Sequence, residues 1–494
     1  MKHVAQLYIN FTGGLVSPGE LHTILSILKD NFITEVCFGL RQQMIIEVPG
    51  NKLEAIEHAF TSNGVAYEKG RTVSPNIVSS YVAANIFTTE SWLREGVYKD
   101  IFDQVTCKPR LKMNICDTAQ NLVPFFTGHI NWLSSSNQHF WHLYIRLPKS
   151  SPTYYWPNLI YTNSIGAVSH AVEQFITSQN ELQPGGQAYY AAMEKYVQEQ
   201  TGYISHPALA PAFSPRFYFP YYEGLNKETT DTCWLGIYRR DEMFSVNFLQ
   251  DACAICLQTK IGQLYITPWK SVIIKGINNA DRYLWNAVLG KYRINVRHAA
   301  NELNWQVEDG SYEGLVLKRS IIRHFDKEDV RTYGLSFAVE TKSSANMFGS
   351  VIIRKRERTG TGKLKSQERF DILYSKDFDP NSKSLLLYRD KVAKHQVGPY
   401  LESLCKLYYE QAFRQNPPGM MQMAASVDES NEEMSEKLLY QCTKCQTMYD
   451  EEYGCVENHI PAGTKFASLA ESYCCPVCEA PKSTFISTGE SLPM

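Results

Sequence analysis

The chain has 494 residues, enough for two to four domains and a large buried core. Its 49 basic and 51 acidic residues leave a formal charge of −2, so no global field draws it to nucleic acid. Thirteen cysteines, an odd number and mostly scattered, suit a reducing cytoplasm with one metal site better than a disulfide framework.

Residues 3–11 alternate like a strand rather than a signal peptide, and no apolar run is long enough to span a bilayer. A soluble cytoplasmic protein with no membrane or nucleic-acid partner is expected. Ser17-Pro18-Gly19-Glu20 opens a helix, with an N-cap serine, a first-turn proline and glutamate at N3. Leu21, Ile24, Leu25 and Leu28 give that helix one apolar face. Strands near 33–39 and 43–48 and a helix at 51–62, ended by Asn63-Gly64, complete a β-α-β-β-α unit.

Helices are expected at 164–178 and 185–199, a strand at 138–147, and an ordered aromatic, proline-rich wrap at 203–222. His139 and His142 fall on opposite faces of the strand and are poor joint ligands. A second unit begins near Cys233, with strands near 234–238 and 243–248 and a helix at about 248–259. Strands at 263–267 and 271–277, a helix at 280–289 and a strand at 292–296 follow. Cys253 and Cys256 sit on the apolar face of its first helix and read as core. Laying Phe38–Ile46 on Tyr265–Ile273 aligns two strand–turn–strand segments, each before a helix. The pattern is a diverged internal duplication, expected to make one pseudo-two-fold body.

The basic segment 354–365 lacks P-loop spacing and reads as a hairpin tip, or as an anionic docking patch. Residues 416–437 are rich in Pro, Met, Ser and Glu, with Asp428, Glu429, Glu432, Glu433 and Glu436 against Lys437 alone. Such a stretch is expected to be a flexible acidic tether. Beyond it stand two Cys-x-x-Cys pairs, Cys442/Cys445 and Cys475/Cys478. Each pair can bend into a knuckle, and two facing knuckles place four thiolates at the corners of a tetrahedron.

In order, Cys-x-x-Cys, Tyr449-Asp450, Pro461-Ala462-Gly463-Thr464-Lys465-Phe466 and Cys475-Pro476-Val477-Cys478 resemble rubredoxin over about residues 438–486. Tyr449, Phe466, Tyr473 and Phe485 supply a small aromatic core. The resemblance implies one iron held by Cys442, Cys445, Cys475 and Cys478; a structural zinc is the alternative, since the ligands suit both metals. Gln446 and Glu479 stand where rubredoxins carry glycine, Tyr473 replaces the usual tryptophan, and Cys455 follows Gly454 where aspartate is common. Cys474 is expected to be a bystander.

Leu40-Arg41-Gln42 and Ile266-Thr267-Pro268-Trp269, each before an apolar strand, resemble the ferredoxin-like half-domains of the sirohaem sulfite and nitrite reductases. Pro109-Arg110-Leu111-Lys112 and Met113-Asn114-Ile115-Cys116 are similar to that family's basic segment and following strand. The resemblance covers about residues 1–400 and implies that Arg41 and Lys112 hold macrocycle carboxylates. A solvated strand-end charge is the alternative for Arg41. The family's bridged 4Fe–4S cluster needs Cys-x5-Cys and Cys-x3-Cys in the second half, where Cys405 alone lies between Cys256 and Cys442. Cys37, Cys107 and Cys116 are scattered singly in the first half, so no such cluster is expected.

The expected fold class is α+β. It divides into a reductase-like half (1–135), a helical and aromatic insert (136–232), a second half (233–413), a linker (414–437) and a rubredoxin domain (438–486). The expected function is one-electron carriage by Fe(III)/Fe(II) between a reductase donor and an acceptor protein, in inorganic nitrogen or sulfur assimilation. A sirohaem reductase fed by its own rubredoxin and a zinc-stapled scaffold are the alternatives.

Overall fold

A computed structural model describes residues 4–487, apart from 71–72, 89–90, 149, 151, 179–182, 208–216, 297–298, 343–346, 357–367, 383 and 416–438, and, in the tail, 446, 452–453, 456–457, 459 and 462. The expected tether, most of the basic segment 354–365 and the middle of the 203–222 wrap lie outside the described residues. The chain divides into two compact units, Met1–Gln415 and Asn416–Met494.

The first helix forms as its capping residues dictate. Ser17 Oγ accepts from the Glu20 N–H at 3.1 Å, and Pro18–Asp30 buries Leu21, Ile24, Leu25 and Leu28. Helix Val246–Gln258 repeats it in the second half of the same unit and packs against it, with Cys253 and Cys256 fully buried in the shared core. Strands Val4–Asn10, Gln43–Pro49 and Glu35–Phe38 form one antiparallel sheet; Thr232–Ile237, Val272–Asn278 and Leu264–Ile266 form its counterpart. Each sheet takes its edge strand from the other half. Met243–Ser245 pairs with Glu35–Phe38, and Leu15–Val16 pairs with Leu264–Ile266. The exchange makes the two halves one body.

The turns fix the alignment of the duplicated units. Gly39 N donates to Gln43 O and Gln42 N to Gly39 O; Thr267 N donates to Ser271 O and Lys270 N to Thr267 O. Gly39 therefore matches Thr267, one residue later than the sequence alignment of Phe38 with Tyr265 places it. The apolar runs on either side are continuous rather than alternating, so they do not pin register; the turn hydrogen bonds do. The expected strand at 292–296 is absent. Arg293 is left-handed (φ 53°) and Ile294 N donates to Leu289 O at 2.9 Å, closing helix Arg282–Lys291 in a C-terminal cap.

Each half continues into a larger sheet of matching order. In the first, Val78–Ser79, Met113–Cys116 and Ile130–Ser134 run parallel and Phe140–Ile145 returns antiparallel. In the second, Trp305–Val307, Phe337–Glu340 and Val351–Lys355 run parallel and Arg369–Ser375 returns antiparallel. The expected boundary at residue 135 falls inside the hairpin joining Ile130–Ser134 to Phe140–Ile145. Residues 136–207 complete this sheet and its helices, Ile165–Ser178 and Gln187–Thr201, rather than forming an insert. The reason is burial: Trp132, Trp141, Leu143 and Ile145 share one core with Ile165, Val168 and Val172.

The second unit holds a three-stranded sheet, with Leu439–Cys442 between Met448–Asp450 and Phe485–Ser487. Its core is aromatic, as expected: Tyr440 stacks on Phe466 at 4.1 Å, and Tyr449 and Phe485 lie against Phe466 at 5.4 and 5.3 Å.

Candidate metal centre and basic cluster

The two Cys-x-x-Cys pairs fold as matching knuckles. Cys442 N donates to Thr447 O at 2.9 Å, and Cys475 N donates to Ala480 O at 2.8 Å, five residues ahead in both. The four sulfurs of Cys442, Cys445, Cys475 and Cys478 lie within 4.8 Å of one another. Across the knuckles, Cys442 Sγ is 3.7 Å from Cys478 Sγ, and Cys445 Sγ is 3.4 Å from Cys475 Sγ. A tetrahedron with metal–sulfur bonds of about 2.3 Å has edges of about 3.8 Å, so one ion fits this donor set. Cys442 and Cys475 are buried, Cys445 is half-buried and Cys478 is exposed.

Burial opposes ionisation of Cys442, but the amides of Cys445 and Lys444 point at its sulfur and hold it down to about 6. Cys475 is likewise lowered against burial, by the amides of Val477 and Cys478. The Ala480 amide pulls Cys478 down, yet the neighbouring Cys445, Cys442 and Cys475 sulfurs leave it raised, at about 12. Four thiols this close cannot all ionise without a cation among them. Glu479 is left-handed (φ 56°), the conformation expected of the residue after a knuckle, at a cost of about 1–2 kcal/mol. Its counterpart Gln446 lies outside the described residues. Cys474 is exposed and its sulfur turns to Ser472 O, while Cys455 is buried beside Tyr473; neither belongs to the group of four.

The rubredoxin family model matches residues 439–485. Rubredoxin-2 of Chlorobaculum tepidum is 48% identical over 46 residues, 9% of this chain and 88% of its own length. The chain belongs to the rubredoxin family. The match resides wholly in the second unit, which is a rubredoxin domain. The high molecular weight rubredoxin of Moorella thermoacetica is 34% identical over 84 residues, and this chain spans 37% of that protein's length. Among the described residues, the four cysteines of the rubredoxin domain are the one grouping of three or more His, Cys, Asp or Glu side chains able to share a metal.

In the body, the fold gathers the two residues singled out by sequence and adds two more. Arg41 is not a solvated charge. Its Nε and Nη2 donate to Asn76 O at 3.0 and 2.7 Å, Nη2 also to Met113 O at 2.7 Å, and Nη1 to Asn114 Oδ1 at 3.2 Å. Burial pushes its pKa down to about 9. Lys112 is lowered by burial and by the charges of Arg41 and Arg146. The guanidinium of Arg146, a residue 8% exposed, donates among the described residues to Thr127 O alone, at 3.3 Å. His129 accepts from the Lys112 N–H through Nδ1 at 3.1 Å, which places its proton on Nε2. Burial first, then Lys112, Arg146 and Arg41, push its pKa down to about 4. Asp309 is the acid that bears on Arg41 and Lys112, but it binds Lys270 at 3.3 Å and the Leu40 N–H. Among the described residues, none forms an ion pair with Arg41, Lys112 or Arg146.

Arg146 and His129 carry no sequence signal of their own; each is a lone basic residue beside a strand. Strand pairing brings them to Lys112: Ile130 N donates to Lys112 O at 3.0 Å and Arg146 N to His129 O at 2.7 Å. The NirA protein of Mycobacterium tuberculosis superposes with a TM-score of 0.64 at 13% identity, over 83% of this chain and 84% of that one. The likeness shows the fold: this chain shares the architecture of that protein.

Proposed function

We propose that the chain is an iron-binding electron carrier, a rubredoxin domain borne on a reductase-like body. One electron enters and leaves through Fe(III)/Fe(II) held by Cys442, Cys445, Cys475 and Cys478. The observation that carries this is the convergence of four sulfurs, with backbone amides aimed at them, inside a rubredoxin domain. Those amides offset the negative charge that grows on the sulfurs at reduction. The body serves to position the donor and acceptor, which are redox proteins. Its reductase-type fold supports a place in inorganic nitrogen or sulfur assimilation, and the thiol-rich composition supports a cytoplasmic setting.

Metal analysis and the visible spectrum of the purified chain test this. One iron per chain, a red oxidised form and no acid-labile sulfide are expected. Cys442→Ser or Cys478→Ser should bleach the protein, whereas Cys474→Ser and Cys455→Ser should not. A colourless chain containing zinc would overturn the proposal.

A second reading has its own observation. Among the described residues, Lys112 Nζ has no hydrogen-bond partner and the Arg146 guanidinium has one, at a place where the reductase resemblance puts a tetrapyrrole, and such a pair suits its carboxylates. When bound, the macrocycle would supply multi-electron reduction of a small oxyanion. Arg41, its donors spent on carbonyls, would shape the floor of the site. Intense macrocycle bands that iron–thiolate charge transfer cannot produce would establish this reading.

A further inference from the structure

We propose that the Thr447 hydroxyl is a residue that sets the reduction potential of the iron, donating a hydrogen bond to the Cys445 thiolate. Thr447 Oγ1 lies 3.0 Å from Cys445 Sγ. Either atom could donate if both were protonated. A metal-bound thiolate has no proton, so the hydroxyl must be the donor. Thr447 is held for this role by its own backbone, whose carbonyl accepts from Cys442 N at 2.9 Å. The knuckle thus fixes the backbone from which the hydroxyl reaches the sulfur.

The two knuckles differ at this point. Cys445 corresponds to Cys478, and Thr447 corresponds to Ala480, whose carbonyl accepts from Cys475 N. Cys478 receives the Ala480 amide but no hydroxyl, because alanine has none. The hydroxyl of Thr484 is no substitute. It lies 3.9 Å from Cys442 Sγ and donates its single hydrogen to Pro481 O at 2.7 Å. Thr447 therefore supplies a side-chain donor to one of the two less buried ligands, where added charge is already better solvated than at Cys442 or Cys475.

The direction of the effect follows from charge. Adding one electron converts Fe(III) with four thiolates, net −1, into Fe(II) with four thiolates, net −2. Nothing else is made or broken. A donor hydrogen bond to sulfur strengthens as the sulfur gains charge, so it favours the reduced form and raises the potential. Removing it lowers the potential.

The inference rests on the iron reading, and its test separates the two. The full-length chain and its Thr447→Val, Thr447→Ser, Thr447→Ala and Thr484→Val variants are titrated electrochemically while the charge-transfer bands are followed. At a fixed ambient potential, Thr447→Val and Thr447→Ala should reduce the ratio of Fe(II) to Fe(III) about tenfold, or about 59 mV for one electron. Thr447→Ser, which keeps the hydroxyl, should restore most of it, and Thr484→Val should leave it unchanged. Iron-loaded Thr447→Val with an unaltered potential would overturn the proposal while leaving the carrier function intact. Thr447→Ser matching Thr447→Val would overturn it too, since volume rather than the hydroxyl would then be responsible. Should Thr447→Val fail to take up iron, Thr447→Ala gives the same measurement without a branched side chain. If the unaltered chain itself holds no iron, the iron reading falls, and the role of Thr447 falls with it.

Discussion

The two halves of the body share a backbone and differ in what they do with charge. Ile130 N donates to Lys112 O and Arg146 N to His129 O; at the matching places Val351 N donates to Ser336 O and Ser375 N to Ser350 O. Lys112, His129 and Arg146 thus stand where the second half has Ser336, Ser350 and Ser375. The serines are buried and satisfy one another and nearby backbone: Ser336 Oγ meets Ser350 Oγ at 3.3 Å, and Ser375 Oγ donates to Gly349 O at 3.0 Å. A second contrast runs the other way. Gly13-Gly14 form a double left-handed turn (φ 65° and 79°), and its counterpart is Asp241-Glu242 (φ 69° and 62°). Glu242 is clamped by Lys270 at 2.7 Å and Lys318 at 3.1 Å. Where Lys270 stands in the second half, the first has neutral Gln42, which donates to Ser79 O and Ile266 O. The second half sets Glu242 between Lys270 and Lys318, whereas in the first, among the described residues, Arg41, Lys112 and Arg146 have no acidic partner. Electrostatic stapling is thus concentrated around Glu242, in the second half.

The largest break in this contrast should come from Glu242→Gln. It leaves Lys318 without an acid and Lys270 with Asp309 alone, and losing one partner of a buried network costs about 3–5 kcal/mol. Arg146→Gln, by contrast, removes a cation with no acidic partner and should change stability by about 1 kcal/mol or less, in either direction. Urea unfolding followed by tryptophan fluorescence reads the body alone, since all eight tryptophans precede residue 306. Equal losses in the two variants would refute the assignment of stapling to one half.

Next in size is Gly14→Ala. A Cβ there would lie 2.7 Å from Ile266 O and 2.6 Å from Gln42 Nε2, in a left-handed backbone. Strain and displacement together should cost roughly 2–3 kcal/mol. Asp241→Gly should be near neutral. It relieves about 1 kcal/mol of left-handed strain and gives up an exposed ion pair with Arg319 worth about as much. A Gly14→Ala protein as stable as the parent would mean that the strand exchange beside it tolerates movement.

What could be read beforehand follows the range of the interactions. The helix at Pro18–Asp30 was legible because its cap, proline and apolar spacing lie within a dozen residues. The four-cysteine group was legible because each knuckle is local and only their facing is not. The exchange of Leu15–Val16 and Met243–Ser245 between sheets was not legible, since its partners are some 250 and 200 residues away. Register slipped by one at Gly39–Gln42 because the flanking apolar runs do not alternate. Arg146 and His129 were missed because their meaning lies in the strand pairs that bring them to Lys112, not in their neighbours.

The smallest expected effect tests whether His129 sits neutral within the basic trio. Its pKa falls from 6.5 to about 4 on folding, through burial and then the charges of Lys112, Arg146 and Arg41. The unfolded chain therefore binds the proton first as pH drops. Its contribution to stability is complete above pH 6.5 and is lost as pH falls toward 4. Between pH 7.5 and 5.5 the loss has a ceiling of roughly 1.3 kcal/mol, and solvent screening of a half-buried ring lowers it to about 0.5–1 kcal/mol. Other groups titrate in the same interval, so the quantity to measure is the difference between the unaltered chain and His129→Gln, whose amide oxygen can still accept from the Lys112 N–H. The variant should lose less stability across that interval. The unaltered chain should recover the difference when Arg146→Gln removes one of the cations that hold the ring neutral. Parallel pH profiles for all three proteins would show that the trio exerts no field on His129, and the contrast with the serine trio would then be one of size rather than charge.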